Sequence, residues 1–207
     1  MLEAQDLACL RGERAVFGGL SFSLGPGGAL LLTGANGAGK SSLLRILAGL
    51  LAPAEGRLLW QGRDALADRT AHAARLRYLG HGDALKPSLT ARENLLFYAR
   101  LWGGGEEGVA SALEALGLAP LAALPVRVLS AGQRRRLALA RLALGLPAGD
   151  GPPRAPLWLL DEPTTGLDAA SVERFGALLA RHRAAGGLVV AATHLPLPLP
   201  GAVTLGL

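Results

Sequence analysis

The eight residues Gly34–Ser41 constrain the fold of this 207-residue chain more than any other stretch. Their sequence, GANGAGKS, fits the pattern G-x-x-x-x-G-K-[ST], in which glycines let several backbone N–H groups converge on one polyanion. An apolar strand pattern, Ala29–Thr33, precedes them, and a helical pattern, Ser42–Leu51, follows. At the N-terminus of that helix the dipole also favours negative charge. We therefore predict a phosphate-binding loop between a strand and a helix.

The side chains of this loop match the needs of nucleotide binding. Lys40 is placed to reach the β- and γ-phosphates, and the Ser41 hydroxyl is placed to ligate Mg²⁺. Of the 21 basic residues only two, Lys40 and Lys86, are lysines, and a compact ammonium fits such a loop where a guanidinium does not. This argues against a glycine-rich turn that carries a lysine by chance. The residues predicted to contact the nucleotide here are Gly34, Ala35, Asn36, Gly37, Ala38, Gly39, Lys40, Ser41 and Ser42.

Length and composition favour one compact unit with an appended subdomain. At 50% hydrophobic residues the chain can bury a core, but it is too short for two nucleotide-binding domains. No apolar run approaches the roughly 18 to 20 residues of a membrane helix, and we expect neither a membrane span nor a signal peptide. The single cysteine, Cys9, excludes an internal disulfide and gives no metal cluster.

The net charge of +5 is compatible with binding to nucleic acid or to an anionic membrane surface. The arginines are scattered, however, and the one run, Arg134–Arg136, lies inside a patterned helix. We interpret this run as a solvated helix face. We therefore expect no direct contact with nucleic acid.

The pattern along the chain predicts an α/β fold with two additions to the central sheet. Short apolar segments separated by glycine turns over residues 2–33, and again at 57–62, predict an N-terminal antiparallel β-layer. From about 76 to 146 the period becomes helical, with a capping-box pattern at Thr90–Glu93. We predict one nucleotide-binding domain over residues 1–207, with a mostly parallel core sheet and a helical subdomain at approximately 76–146.

Two further apolar segments end in polar residues. Leu157–Glu162 is a buried-strand pattern that ends in Asp161 and Glu162, the form of a Walker B segment. Together with a phosphate loop it predicts that Asp161 shares a Mg²⁺ ion with Ser41. A similar strand pattern, residues 188–193, ends at His194 and predicts that this histidine reaches the same edge of the sheet.

The segment Leu129–Gln133, with the sequence LSAGQ, resembles the signature motif of ATP-binding cassette (ABC) ATPases, with alanine where glycine is commonest. Gly166–Asp168 resembles the D-loop of that family, and His194 resembles its switch histidine. These motifs occur in the family's order, and the resemblance covers the whole chain. It implies an ATPase with a P-loop NTPase core.

The resemblance also implies a mechanism. Two copies would form a homodimer head to tail on ATP binding, and each nucleotide would lie between the phosphate loop of one copy and the signature of the other. Glu162 would be the general base, and His194 would contact the γ-phosphate that Lys40 also holds. The residues implied to act across the interface are Ser130, Gly132, Gln133 and Asp168.

Three segments, residues 79–87, 95–98 and 129–142, resemble more narrowly the ATPase subunits of bacterial cytochrome c maturation. This implies integral membrane partners of a heme-handling complex and a peripheral location on the cytoplasmic face of the inner membrane. Two alternatives remain open, namely the ATPase of another small-substrate transporter and a soluble ABC ATPase that acts on nucleic acid. The absence of heptad runs from the roughly 90 residues between loop and signature argues against the second.

Two positions depart from the family pattern. His81 stands where most cassettes have a glutamine that meets Mg²⁺, so it would act at the metal directly or through water, serve in a coupling loop, or have no role. Arg11 stands where most cassettes stack an aromatic residue on adenine. A guanidinium plane also stacks on a base, and Phe17 is the alternative platform.

Overall fold

The computed structural model describes residues 1–147 and 151–207, which form two β-sheets and six α-helices. The strands are β1 (Leu2–Arg11), β2 (Arg14–Leu24), β3 (Ala29–Thr33), β4 (Glu55–Trp60), β5 (Arg63–Asp64), β6 (Leu76–Leu79), β7 (Leu157–Asp161), β8 (Leu188–Ala192) and β9 (Val203–Gly206). The helices are α1 (Lys40–Leu47), α2 (Arg69–Ala74), α3 (Ala91–Leu101), α4 (Glu106–Ala115), α5 (Ala131–Ala143) and α6 (Ala169–Ala184). None of the helices in the described parts of the chain is long and apolar enough to cross a membrane.

The central sheet consists of five parallel strands in the order β6-β7-β8-β3-β9. Every residue of β7 and β8 is buried, as is typical of a parallel sheet that is covered on both faces. Because the pairing is parallel, the carboxyl ends of β3, β7 and β8 meet at one edge of the sheet. This edge carries the phosphate loop, the Asp161–Glu162 pair and His194.

The second sheet is antiparallel, in the order β2-β1-β4-β5. It packs over the helix α1 and one face of the central sheet, with which it shares a buried core that includes Leu2, Leu44 and Leu159. The opposite face of the central sheet packs against α3, α4, α5 and α6, with Trp158 and Leu160 in that core. Neighbouring residues of β7 thus contribute to different cores, because side chains alternate along a strand. The predicted α/β core with an antiparallel β-layer and a helical insertion is confirmed.

The helical insertion begins later in the chain than its expected start near residue 76. Residues Leu76–Leu79 form β6, the edge strand of the central sheet, and pair in parallel with β7. Helix α3 opens at the expected capping box, in which Thr90 Oγ1 accepts from the Glu93 N–H at 3.1 Å and Glu93 Oε2 accepts from the Thr90 N–H at 2.8 Å. A four-residue edge strand is too short for its period to be distinguished from that of a helix, which explains the difference.

One arginine–aromatic contact joins the insertion to the sheet, and a second joins two helices of the insertion. The Arg77 guanidinium of β6 lies 3.8 Å from the ring centroid of Trp102, which follows α3, and the Arg141 guanidinium of α5 lies 4.7 Å from that of Tyr98. Both arginines are buried. Desolvation lowers the pKa of Arg77 to about 10, so it keeps its charge at neutral pH. The aromatic faces therefore offset part of the cost of two buried cations.

Helix α6 is fixed against the sheet by a buried histidine. The His182 ring stacks on Trp158 with centroids 3.8 Å apart and planes 10° from parallel, and its Nε2 lies 3.3 Å from the Leu188 carbonyl oxygen. The side chain is fully buried. Burial lowers the pKa of His182 to about 4, because a charged imidazolium would lose its hydration there.

We predict that His182 makes the fold sensitive to acid. The unfolded state takes up a proton as the pH falls below about 6.5, whereas the native state stays neutral until about 4, so stability is lost between these values. Relative to neutral pH, this residue lowers the free energy of unfolding by about 2 to 3 kcal/mol at pH 4.5. His182→Phe should flatten the decline in the free energy of unfolding between pH 6.5 and 4.5, measured by urea titration. The decline that remains in His182→Phe includes a contribution from His72, whose pKa is also lowered by burial. Equal slopes in both proteins would contradict the prediction.

Candidate active site

The loop between β3 and α1 curls because three of its glycines, Gly34, Gly37 and Gly39, have φ values of 131°, 88° and 109°. Side chains are also excluded by close neighbours. A Cβ at Gly34 would lie 2.5 Å from the Leu207 carbonyl oxygen, and one at Gly39 would lie 2.6 Å from a methyl carbon of Val16. Glycine is therefore required at both positions for steric reasons as well as for the backbone angle.

Helix α1 starts at Lys40 with no side-chain cap, and its first turn contains no acidic residue. The first N–H groups of a helix have no partner within the helix. These groups and the positive end of the dipole fit an anion such as a phosphate. Lys40 Nζ donates to the carbonyl oxygens of Gly34 at 2.7 Å and Ala35 at 3.0 Å, which holds the ammonium group over the loop.

The end of β7 supplies two carboxylates in different environments. Asp161 is the last residue of the strand and is buried, whereas the Glu162 side chain is 19% exposed. Glu162 has a φ of 48°, and its N–H donates to the Ala192 carbonyl oxygen of β8 at 2.8 Å. A left-handed conformation costs a non-glycine residue about 1 kcal/mol. The turn after β7 therefore directs this carboxylate away from the strand at an energetic cost.

His194 meets Glu162 at the edge of the sheet, as the two strand patterns had predicted. Its Nδ1 lies 3.0 Å from Glu162 Oε2, and its backbone N–H donates to the same oxygen at 3.3 Å. The histidine side chain is 65% exposed. One carboxylate oxygen is thus held from two directions, while the imidazole remains accessible from solvent.

A cleft of about 850 Å³ brings most of the candidate residues together. It is lined by Arg11, Arg14, Ala15, Val16, residues 35–42, His81, Asp161 and Glu162. Phe17 does not line this cleft in the described structure and instead approaches Gly39. Of the two candidate base platforms, Arg11 therefore lines the cleft and Phe17 does not.

Arg14 is a cleft residue that was not predicted. It pairs with Arg11 across the β1–β2 hairpin, and both side chains are exposed. The short turn at Gly12–Glu13 is the signal that could have identified it, because a tight hairpin places its flanking residues opposite each other. Two guanidinium groups at the rim favour an anionic ligand.

The donor set of the cleft fits a magnesium ion. Ser41 and Asp161 contribute hard oxygen atoms, which Mg²⁺ prefers, and His81 lines the same cleft. Among the described residues no salt bridge engages the buried Asp161 carboxylate, and no group of three or more His, Cys, Asp and Glu side chains forms a metal cage. Mg²⁺ is typically held by one or two protein ligands together with substrate phosphates, so this sparse set is suitable.

The signature residues lie outside this cleft. Ser130 caps α5, with its Oγ accepting from the Gln133 N–H at 3.2 Å and its N–H donating to Gln133 Oε1 at 2.8 Å. Gly132 packs closely on the loop before α6, since a Cβ there would lie 3.1 Å from the Gly166 carbonyl oxygen. Asp168 caps α6 and accepts from the Ser171 N–H at 2.7 Å. Its pKa is lowered by hydrogen bonds from Ser171.

Comparisons with known proteins agree with this geometry. The family model described as ABC transporter matches residues 17–165. The chain is 60% identical to the cytochrome c biogenesis ATP-binding export protein CcmA of Rhodospirillum rubrum, over 98% of this chain and 84% of that protein. It is 55% identical to the protein of the same name from Paramagnetospirillum magneticum, over 99% and 92% of the two chains.

Solved structures show the same fold. A putative ABC transporter ATP-binding protein from Pyrococcus furiosus superposes with a TM-score of 0.82 at 22% identity, over 100% of this chain and 96% of that one. A dimeric ATP-binding cassette in a post-hydrolysis state, bound to ADP and Pi, superposes with a TM-score of 0.78 at 24% identity, over 94% and 88%. The predicted family is confirmed: the chain belongs to the ABC transporter family and is one of its ATPases.

Proposed function

We propose that this chain is the ATP-hydrolysing subunit of a membrane complex that acts in cytochrome c biogenesis. One observation carries the chemical part of the proposal. A single cleft combines an anion-binding loop, a lysine and a hydroxyl with a buried and a more exposed carboxylate. Its rim is positively charged, and its acidic groups lie at the strand ends.

The phosphates of ATP would bind to backbone N–H groups of residues 35–41, with Lys40 moving its hydrogen bonds from the loop carbonyls to the β/γ-phosphates. Gly34 and Ser42 would fix the two ends of this loop. Ser41 and Asp161 would hold Mg²⁺, and His81, which lines the same cleft, would contribute directly or through water. When bound, the metal neutralises charge that develops on the phosphate oxygens. Arg11 would stack on the adenine base.

Glu162 is the proposed general base. Its carboxylate lines the cleft and can accept a proton from the attacking water, while Asp161 is deeper and better placed for the metal. His194 positions Glu162 through its Nδ1 and backbone N–H, and its exposed ring is available to contact the γ-phosphate. In this scheme the two strand-end groups act as a unit.

The active state is proposed to be a homodimer. Ser130, Gly132 and Gln133 begin a helix outside the cleft of their own copy, which leaves them to complete the cleft of a second copy. Asp168 would connect the two sites. We further propose that residues 1–207 form one nucleotide-binding domain, in which the helical subdomain carries this signature.

The cytochrome c part of the proposal is supported by the relatives named as biogenesis export proteins at 60% and 55% identity. Such a role requires integral membrane partners, because no described helix of this chain can span a membrane. We propose that the chain binds heme-handling membrane subunits at the cytoplasmic face of the inner membrane, and that ATP hydrolysis drives their conformational change.

Lys40→Ala should abolish nucleotide binding. The substitution removes the only ammonium group among the described residues that line the cleft, and we expect ATP affinity to fall by at least about 100-fold, measured by isothermal titration calorimetry. Lys86→Ala is the matched control, because Lys86 is the other lysine of the chain and is exposed. Normal ATP affinity in Lys40→Ala would refute the assignment of the phosphate loop.

Glu162→Gln should retain ATP binding but lower kcat by at least about 100-fold, since an amide cannot accept the proton. Trapped ATP should also favour the dimer, which light scattering after size-exclusion chromatography would detect. Glu173→Gln, an exposed glutamate of α6, is the control. Undiminished hydrolysis together with a monomeric elution profile in ATP would overturn both the base assignment and the dimer.

Purification from gently solubilised native membranes should recover heme-handling membrane proteins with this chain. Partner masses and heme absorbance would identify them, with untagged cells as the control. Recovery of a permease for another small substrate would leave the ATPase assignment intact and refute the role in cytochrome c biogenesis.

A further inference from the structure

The arginine run 134–136 is not the solvated face that the sequence favoured. The Arg135 side chain is buried, with 6% of the residue exposed, whereas Arg134 and Arg136 are half-buried. Successive residues of an α-helix point about 100° apart, so a run of three covers more than half of the helix circumference. On these geometric grounds one member of such a run is expected to face inward, and it is Arg135 that does so.

The Arg135 guanidinium donates to three consecutive carbonyl groups after β7. Nη2 donates to Asp161 O at 3.0 Å and to Glu162 O at 2.7 Å, and Nε donates to Pro163 O at 3.2 Å. These are the main-chain groups of the two proposed catalytic and metal-binding carboxylates and of the residue that follows them. One side chain of α5, the helix that begins at the signature motif, thus hydrogen-bonds to all three carbonyl groups of this turn.

The same guanidinium also reaches the loop after β6. Nη1 donates to Gly80 O at 3.3 Å and to the Asp83 carboxylate at 3.2 Å. These two residues flank the segment that contains His81. The Asp83 side chain is 29% exposed and provides the counter-charge for the buried cation. Arg135 therefore connects three separate parts of the chain: α5, the turn after β7, and the loop that carries His81.

We propose that Arg135 is a positioning residue for the proposed hydrolysis site. By binding the Asp161–Pro163 carbonyls it holds Glu162 in its left-handed conformation, with the carboxylate against His194. By binding Gly80 and Asp83 it connects the turn after β7 to the loop that contains His81. Because Arg135 lies on α5, both segments are also connected to the helix that begins at the signature motif. The inference deepens the proposed ATPase mechanism and rests on it.

The chemistry of the side chain supports this role over simple packing. A guanidinium presents five N–H donors in a fixed planar fork, and the contacts here use Nε, Nη1 and Nη2. An ammonium group has three donors at one point and cannot reach both sides of this arrangement. A glutamate keeps a left-handed backbone conformation only where surrounding contacts stabilise it. The three hydrogen bonds from Arg135 to the carbonyl groups of residues 161–163 are such contacts for Glu162.

The test compares Arg135→Gln with Arg135→Lys and with a matched control, Arg141→Gln. Arg141 lies on the same helix and is equally buried, at 7% exposure, but it has no hydrogen bond to the turn after β7. Steady-state ATP hydrolysis is measured well below the melting temperature of each variant. We expect Arg135→Gln to lower kcat by at least about 10-fold with less than about 3-fold change in the KM for ATP. Arg135→Lys should recover only part of kcat, and Arg141→Gln should stay within about 3-fold of the parent.

Amide hydrogen exchange provides a readout that does not depend on hydrolysis. The Glu162 and His194 N–H groups are hydrogen-bonded to Ala192 O and Glu162 Oε2, respectively. In Arg135→Gln both amides should exchange at least about 10-fold faster, whereas Arg141→Gln should leave them unchanged. If the parent protein does not hydrolyse ATP, the proposed function fails, and exchange still decides whether Arg135 positions the turn.

Asp83→Asn is a second variant that preserves the buried guanidinium and its carbonyl contacts. It removes one charge at a partly exposed position, so it is expected to fold, and it should reduce kcat by about 2- to 5-fold. The proposal is overturned if Arg135→Gln keeps kcat within about 2-fold of the parent. It is also overturned if Arg141→Gln reproduces both the kcat loss and the faster exchange.

Discussion

The parallel pairing of β7, β8 and β3 is the constraint on which the site depends. Adjacent strands in a sheet are about 4.8 Å apart, so groups that follow neighbouring strands fall within a few ångströms to about 10 Å of one another. The phosphate loop follows β3, the two carboxylates follow β7, and His194 follows β8. No long-range loop has to fold over to assemble them. The buried strands fix the positions, and the turns after them fix the directions of the side chains.

Features that depend on local sequence were predictable. The phosphate loop, the acidic end of β7 and the cap at Thr90 each depend on residues within a few positions of one another, and the structure has all of them. The narrower motifs around them led to the correct family. Because the residues of each motif are close together in the sequence, one sequence without its homologues was enough to identify them.

Features that depend on tertiary contacts were missed. Arg135 was interpreted as solvated because charge in a helix is usually exposed, and only the carbonyl groups of a distant turn make its burial favourable. The stack of His182 on Trp158 joins two elements with no sequence signal in common. The place of Arg14 in the cleft could be predicted only from the exact register of the β1–β2 hairpin. Strand β6 has four residues, which are too few to show the two-residue period of a strand. Each of these features depends on a contact with residues far away in the chain or on a strand register that a shift of one residue would change.

The arginine–aromatic contact between the sheet and the insertion has a mechanical consequence. Arg77 over Trp102 connects β6 of the sheet to the end of α3, and among the described residues no salt bridge engages this arginine. Ions in solution screen exposed charges strongly but reach buried ones poorly. The connection between the helical insertion and the central sheet should therefore keep its stiffness as ionic strength varies.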